Sequence, residues 1–441
     1  MSSTDDLKEA PPCVHAQLEV GENDEALPHM MRDVAALGDL YRVVIPARER
    51  ETWVLSDPET IKRVLVSNHR SYTIGVGLDR VKVLLGNGII VSEGEVWRRQ
   101  HRMMQPMFQR AQVERFGSTI EAITQRRLSE WSQKADSAEP FNITKETSEG
   151  ALEVVLRATF GADFDEMSRG EAGNPFAILS EDTSRDLRFA YKFRQLGKHI
   201  DQVIGRRESA PASGSAIDWL AMMMAARDRD GKPMSHRELI DEVMSLIVAG
   251  HETTAAVLNS VWYLLSQHPA VEARLHEEVD AIELPDLRLE SVESLKYTHQ
   301  VIAEALRLYP PVWVLSRRCV HADQLMGHRA PAGADVLMSP YVVHRHPQHW
   351  SDPEEFRPER FAPEAIAGTH RYAYIPFSAG PRHCVGETFA TYEMAIHLYH
   401  AARAFQLRSS CPQAMAIHEM EAKINLRVRE DLMMTVERRR E

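Results

Sequence analysis

The stretch from Ser235 to His268 constrains the fold most. Ser235-His236-Arg237-Glu238 has the form of a capping box, in which a hydroxyl and a carboxylate satisfy each other's backbone N–H groups. No proline follows until Pro269, so the spacing predicts one helix of roughly 50 Å. Its middle, Val243 to Leu265, is apolar on most sides, and such a helix must be buried on most sides. The interruption Ala249-Gly250-His251-Glu252-Thr253-Thr254 is therefore the informative part. Gly250 costs about 1 kcal/mol relative to alanine, and a buried carboxylate costs more unless it is partnered. Small residues at 249 and 250 leave room beside the helix, where Glu252 and Thr253 offer a proton carrier and a hydroxyl. The competing interpretation is a kink, with Glu252 in a structural ion pair and Thr253 bonded back to a carbonyl.

A second stretch, Phe377-Ser378-Ala379-Gly380-Pro381-Arg382-His383-Cys384-Val385-Gly386, sets one cysteine in a glycine-flanked loop ahead of a helical pattern. A thiolate needs positive surroundings, which backbone N–H groups at a turn and a helix start supply. Gly380 and Gly386 permit the turn, Arg382 adds a fixed charge, and Phe377 can shield the sulfur. Taken alone, the loop fits a small buried hydrophobe as well as an iron ligand. Glu304 and Arg307 stand at i, i+3 among apolar neighbours, and Arg360 is a candidate third partner for a buried pair. Trp97-Arg98-Arg99-Gln100-His101-Arg102 opens another helix, read either as a solvated basic face or as a site for an acidic group; Arg317-Arg318 poses the same choice.

The 441 residues, 44% hydrophobic with a mean hydropathy of -0.35, read as a soluble globular chain with a large core. No apolar run reaches a membrane-spanning length and the N-terminus lacks the pattern of a secretory signal, so no membrane anchor and a cytoplasmic location are expected. Four cysteines without a CxxC pair indicate neither a zinc knuckle nor a disulfide framework. A net charge of -12 argues against nucleic acid as a partner. Residues 1–25 read as a flexible N-terminal tail, and 26–441 as a single domain without repeats. Tyr41 to Ile45 and Thr52 to Leu55 look like a hairpin, whereas helical periodicity dominates elsewhere. The fold class expected is mainly α with small β-sheets.

Together these stretches resemble the cytochrome P-450 family of haem-thiolate monooxygenases, from about residue 30 to the end. The resemblance implies haem b with Cys384 as its axial thiolate, inside a loop whose matching residues are Phe377, Gly380, Arg382 and Gly386. It implies that Ala249, Gly250, Glu252 and Thr253 form the oxygen-activating segment, with Glu252 and water relaying protons and Thr253 holding oxygen by hydrogen bonding. Trp97, His101, Arg317 and Arg382 would hold the propionates; His101 stands where the family commonly has arginine, which weakens that contact when the imidazole is neutral. Glu304, Arg307 and Arg360 would stabilise the fold on the cysteine side. The partners implied are dioxygen, a hydrophobic terpenoid, fatty acid, carotenoid or steroid, and a ferredoxin-type donor, since the haem domain leaves no room for a reductase domain; the chain is expected to be a monomer. Arg98, Arg99, Arg102, Arg110, Arg382 and His383 are the cations expected to form its docking patch. Pocket walls are expected around residues 72–90, 175–200, the helix near Ala249 and 311–315, with Val76, Leu78, Val81, Leu84, Leu85, Val312, Trp313 and Val314. Two other classes compete, a haem-thiolate sensor and an oxygen-independent isomerase or dehydratase; neither needs Glu252 and Thr253.

Overall fold

The capping box forms as its residues require. In the computed structural model the Ser235 hydroxyl accepts the Glu238 N–H at 3.3 Å, the Glu238 carboxylate accepts the Ser235 N–H at 2.7 Å, and one helix runs over His236–Gln267. The structure describes residues 10–15, 25–45, 50–169, 173–181, 187–209, 218–284, 286–409, 411, 415–416 and 419–439. Contacts divide the chain into two compact units.

The first unit comprises residues 1–78, 303–384 and 413–430. Its main sheet has six strands, in the order Cys13–His15, Leu40–Val44, Thr52–Leu55, Asp335–Met338, Leu315–Cys319 and Tyr72–Ile74. Leu40–Val44 and Thr52–Leu55 pair antiparallel, as expected from their β-branched and aromatic runs. Residues 46–49 of the connection lie outside the described residues. Within the stretch read as a flexible tail, Cys13–His15 is a strand paired in parallel with Arg42–Val44, because main-chain bonds there need no apolar sequence signal. Alternation places Leu40, Trp53, Leu55, Leu315, Cys319, Val336 and Met338 in one apolar core with Ile61, Val64 and Leu65.

Below this core a polar cluster closes the unit. Arg63 donates to both carboxylate oxygens of Asp323, at 2.6 Å and 3.2 Å, and Asn68 and Tyr72 add bonds at 2.9 Å and 2.6 Å. Burial alone would raise the Asp323 carboxyl, but these donors overcome it and hold the carboxyl down at about 2. The folded value lies below that of an unfolded aspartate, so the stabilisation is present above pH 4 and lost as pH falls toward about 2. Asp323→Asn is expected to flatten the acid limb of stability between about pH 4 and 2, read by urea midpoints across that range; an unchanged limb would assign acid unfolding to other carboxylates.

The second unit comprises residues 79–302, 385–412 and 431–441, and is largely helical. The helix His236–Gln267 packs along Ile143–Phe160, whose Asn142 cap accepts the Lys145 N–H at 2.9 Å. Phe116, Trp219 and Phe389 form one aromatic cluster, while Trp131 meets the edges of Trp262 and Phe141 in another. A three-stranded antiparallel sheet, Phe405–Ser409, Met433–Arg438 and Phe141–Asn142, completes the unit. Among the described residues no helix is long and apolar enough to cross a membrane.

Candidate active site

The candidate residues divide between the two units. In the first, the cysteine loop is built on two positive φ angles, +63° at Ser378 and +72° at Gly380. Gly380 is required for space as well. A Cβ there would stand 2.0 Å from the Leu65 carbonyl oxygen, closer than any real contact. The Ile375 carbonyl accepts the Ser378 N–H at 3.0 Å, the Gly380 carbonyl accepts the His383 N–H at 3.0 Å, and the Phe377 carbonyl accepts the Cys384 N–H at 2.9 Å. These bonds fold the chain back so that Phe377 and Cys384 meet across the loop. Cys384 is exposed, Phe377 and Arg382 are half-buried, and none of the four cysteines forms a disulfide. Gly386 then caps the helix Glu387–Ala404.

In the same unit as the loop, Glu304, Arg307 and Arg360 are all buried. Arg307 donates to Glu304 at 2.6 Å and 2.8 Å, and to the carbonyls of His344, Pro353 and Glu355 at 2.8 Å, 2.7 Å and 3.1 Å. Every guanidinium N–H therefore has an acceptor. Arg360 adds a bond to Glu304 at 3.1 Å and one to the Asp352 carbonyl at 2.6 Å, so the three residues meet as the sequence pattern suggested.

His344, which sequence reasoning missed, carries this network to the cysteine loop. Its Nε2 accepts the Ile375 N–H at 2.9 Å, which leaves Nδ1–H to donate to the Arg307 carbonyl at 3.2 Å. Burial and the adjacent Arg307 push its imidazole down to about 3, so it is neutral across the physiological range. The only sequence signal was a histidine within the apolar run Tyr341 to Val343.

Arg317 and Arg318 separate by strand alternation. Arg318 pairs with Asp335 at 2.9 Å, whereas Arg317 shares its face with Leu315 and Cys319 and donates to the Ser316 carbonyl at 2.8 Å.

In the second unit, the helix His236–Gln267 is buried along most of its length but opens along one stripe, Val248, Ala249, Glu252, Thr253 and Ala256. Thr253 Oγ1 donates to the Ala249 carbonyl at 2.6 Å, one turn back. Gly250 has a role of its own: a Cβ there would lie 2.9 Å from Val155 Cγ2, so its absence lets the helix Ile143–Phe160 approach. The room expected at position 250 is thus taken up by helix packing. His251 is buried on the same side, 2.8 Å from the Ser148 hydroxyl. On the helix Gly94–Met104, the rings of Trp97 and His101 meet at a tilt of 40° with centroids 4.9 Å apart.

The cations of that region are not a bare patch. Arg99 is half-buried and bound to Asp228 and Glu238, both at 2.6 Å. Arg98 pairs with Glu95, and Arg110 forms a bidentate pair with Glu293 at 2.6 Å and 2.8 Å. Three of the arginines expected to attract an acidic partner are therefore neutralised by their own chain, which charge counting along a sequence cannot foresee. Among the expected pocket walls, Val81, Leu85 and Trp313 are core residues, and Trp313 donates to the Lys423 carbonyl at 2.9 Å. Val76, Leu78, Leu84, Val312 and Val314 stay partly open.

The cysteine loop of the first unit fits a haem-thiolate ligand, since it carries an exposed thiol on a backbone fixed by its own hydrogen bonds. The comparisons agree. The family model for cytochrome P-450 matches residues 8–427. The chain is 32% identical to cyclooctatin synthase of Streptomyces melanosporofaciens, over 86% of this chain and 85% of that protein. It is 30% identical to pentalenene oxygenase of Streptomyces avermitilis, over 84% of each. The crystal structure of the cytochrome P450DA heme domain superposes with a TM-score of 0.85 at 21% identity, covering 98% of both chains. The chain belongs to the cytochrome P-450 family, an oxygenase family whose fold implies a haem ligated by a cysteine thiolate.

Proposed function

We propose that residues 26–441 form one haem domain, with Cys384 as the thiolate, which inserts an oxygen atom from dioxygen into an apolar, terpenoid-type molecule. The observation that carries this reading is the open stripe of Ala249, Glu252 and Thr253 on the buried helix. The substrate class is supported by relatives of 30–32% identity named for pentalenene and cyclooctat-9-en-7-ol. Electrons come from a separate ferredoxin-type protein in the cytoplasm, for which Arg102, exposed on the helix Gly94–Met104, is a contact.

When bound through sulfur, the haem supplies oxygen activation, because thiolate donation favours O–O cleavage. The chain does the rest. Phe377 and Gly380 would fix the direction of the Cys384 side chain, and Trp97, His101, Arg317 and Arg382 are the residues that would hold the propionates. Thr253 spends its own hydroxyl proton on the Ala249 carbonyl, so toward the open stripe it presents lone pairs and orders the group that bonds there. Glu252, beside it and half-buried, moves the protons.

With a surrogate ferredoxin, its reductase and NADPH, the holoenzyme is expected to hydroxylate an apolar ligand that shifts its spin state. Glu252→Gln is expected to lower kcat roughly 10²-fold, and Thr253→Ala to lower the product formed per NADPH consumed. Unchanged product yield in both variants would remove these two residues from the chemistry.

A further inference from the structure

The loop between the helices Leu78–Leu85 and Gly94–Met104 is fastened to the long helix His236–Gln267 by two adjacent carboxylates. Asp241 Oδ2 accepts the Asn87 N–H at 2.9 Å, and Glu242 Oε2 accepts the Ile89 N–H at 2.9 Å. The seat is shaped for glycine. A Cβ at Gly86 would stand 2.3 Å from Asp241 Oδ1, and one at Gly88 would stand 2.1 Å from Ser245 Oγ. Buried Gln100 holds the other side, donating to the Asn87 carbonyl at 2.8 Å and accepting from the Ser92 hydroxyl at 2.5 Å.

The two acids are not equivalent. Asp241 has a cation, Arg237, at 3.0 Å. Glu242 is fully buried, and its Oε1 has no hydrogen-bond partner among the described residues. The other charge that acts on it is committed elsewhere: Glu238, one turn back, is bound to Arg99. Burial pushes the Glu242 carboxyl up to about 8; the Ile89 N–H opposes this, and the charges of Asp241 and Glu238 add to it.

We propose that Asp241 and Glu242 form a latch that seats the loop Gly86–Glu93 at neutral pH and releases it in alkali, with Glu242 as the positioning residue for ligand binding. Its folded value lies above that of an unfolded glutamate, so the contribution of the seated form is complete below pH 4.5 and is lost as pH rises through about 8. The Ile89 amide favours the ion, but burial outweighs it, so ionisation is relieved by admitting water. A loop can lift to admit water without unwinding a helix. The ligand-binding half rests on the haem-enzyme reading above; the latch itself does not.

Amide exchange of the full chain, followed by mass spectrometry on peptides covering residues 86–93, tests the latch. The ratio of wild-type to Glu242→Gln rates at each pH cancels the intrinsic effect of hydroxide. That ratio is expected to climb with pH from about 5 until it levels off above about 8, so that it stands about 10-fold higher at pH 9 than at pH 7. Asp241→Asn is expected to speed exchange at Asn87 at both pH values, a second handle should the glutamine variant fold poorly. A ratio that stays flat to pH 9 would overturn the latch. For the binding half, the affinity of the holoenzyme for 4-phenylimidazole, read from the Soret shift, is expected to weaken from pH 7 to 9 in wild type relative to Glu242→Gln. Equal behaviour alongside a responsive loop would overturn the positioning role, and a missing Soret band would instead count against the haem reading.

Discussion

Cys384→Ser is expected to abolish the red-shifted band of the ferrous carbon monoxide complex and all ferredoxin-driven turnover, while the far-ultraviolet circular dichroism stays that of wild type. The separation of chemistry from folding follows from the loop itself. Its shape comes from the positive φ angles at Ser378 and Gly380 and from the bond between the Cys384 N–H and the Phe377 carbonyl, none of which uses the sulfur. Serine keeps that backbone but is a harder, weaker ligand for iron than thiolate. A red-shifted band that survived the substitution would show that another residue ligates the iron.

The second large effect is on stability. Arg307→Met is expected to cost about 3–5 kcal/mol, because it leaves the Glu304 carboxylate buried without its main cation. The loss is not confined to one pair: the carbonyls of His344, Pro353 and Glu355 each lose a charged donor. Urea unfolding followed by circular dichroism measures it. The double variant Glu304→Leu/Arg307→Met is expected to be less destabilised than Arg307→Met alone, since the buried carboxylate is gone and Arg360 keeps its bond to the Asp352 carbonyl. A double variant as unstable as the single one would show that the carbonyl contacts, rather than the ion pair, carry the energy.

What could be read in advance depended on whether a residue's partner lay nearby in sequence. The long helix was legible because Ser235 and Glu238 sit three apart, and the hairpin because its two strands are neighbours. Glu304, Arg307 and Arg360 were suggested by pattern, and the geometry joined them. By contrast, Asp228 and Glu238 neutralise Arg99 from more than a hundred residues away, so a count of local charge misjudged that surface. Gly250 was read as making room, but its reason lies on Val155, another distant residue. His344 and Glu242 were missed for a related cause: a buried polar side chain in an apolar run looks the same in sequence whether it is a strut, a sensor or incidental.

The sheet of the first unit also sets a timetable for synthesis. Thr52–Leu55 pairs in parallel with Asp335–Met338, a partner that leaves the ribosome 283 residues later. At typical elongation rates that interval is on the order of 15–60 s. During it the newborn strand shows a row of unsatisfied amides and carbonyls to whatever else is in the cell. Its four-residue length limits the hazard, since a short edge templates poorly. The enzyme is thus born with its first strands waiting on its last third.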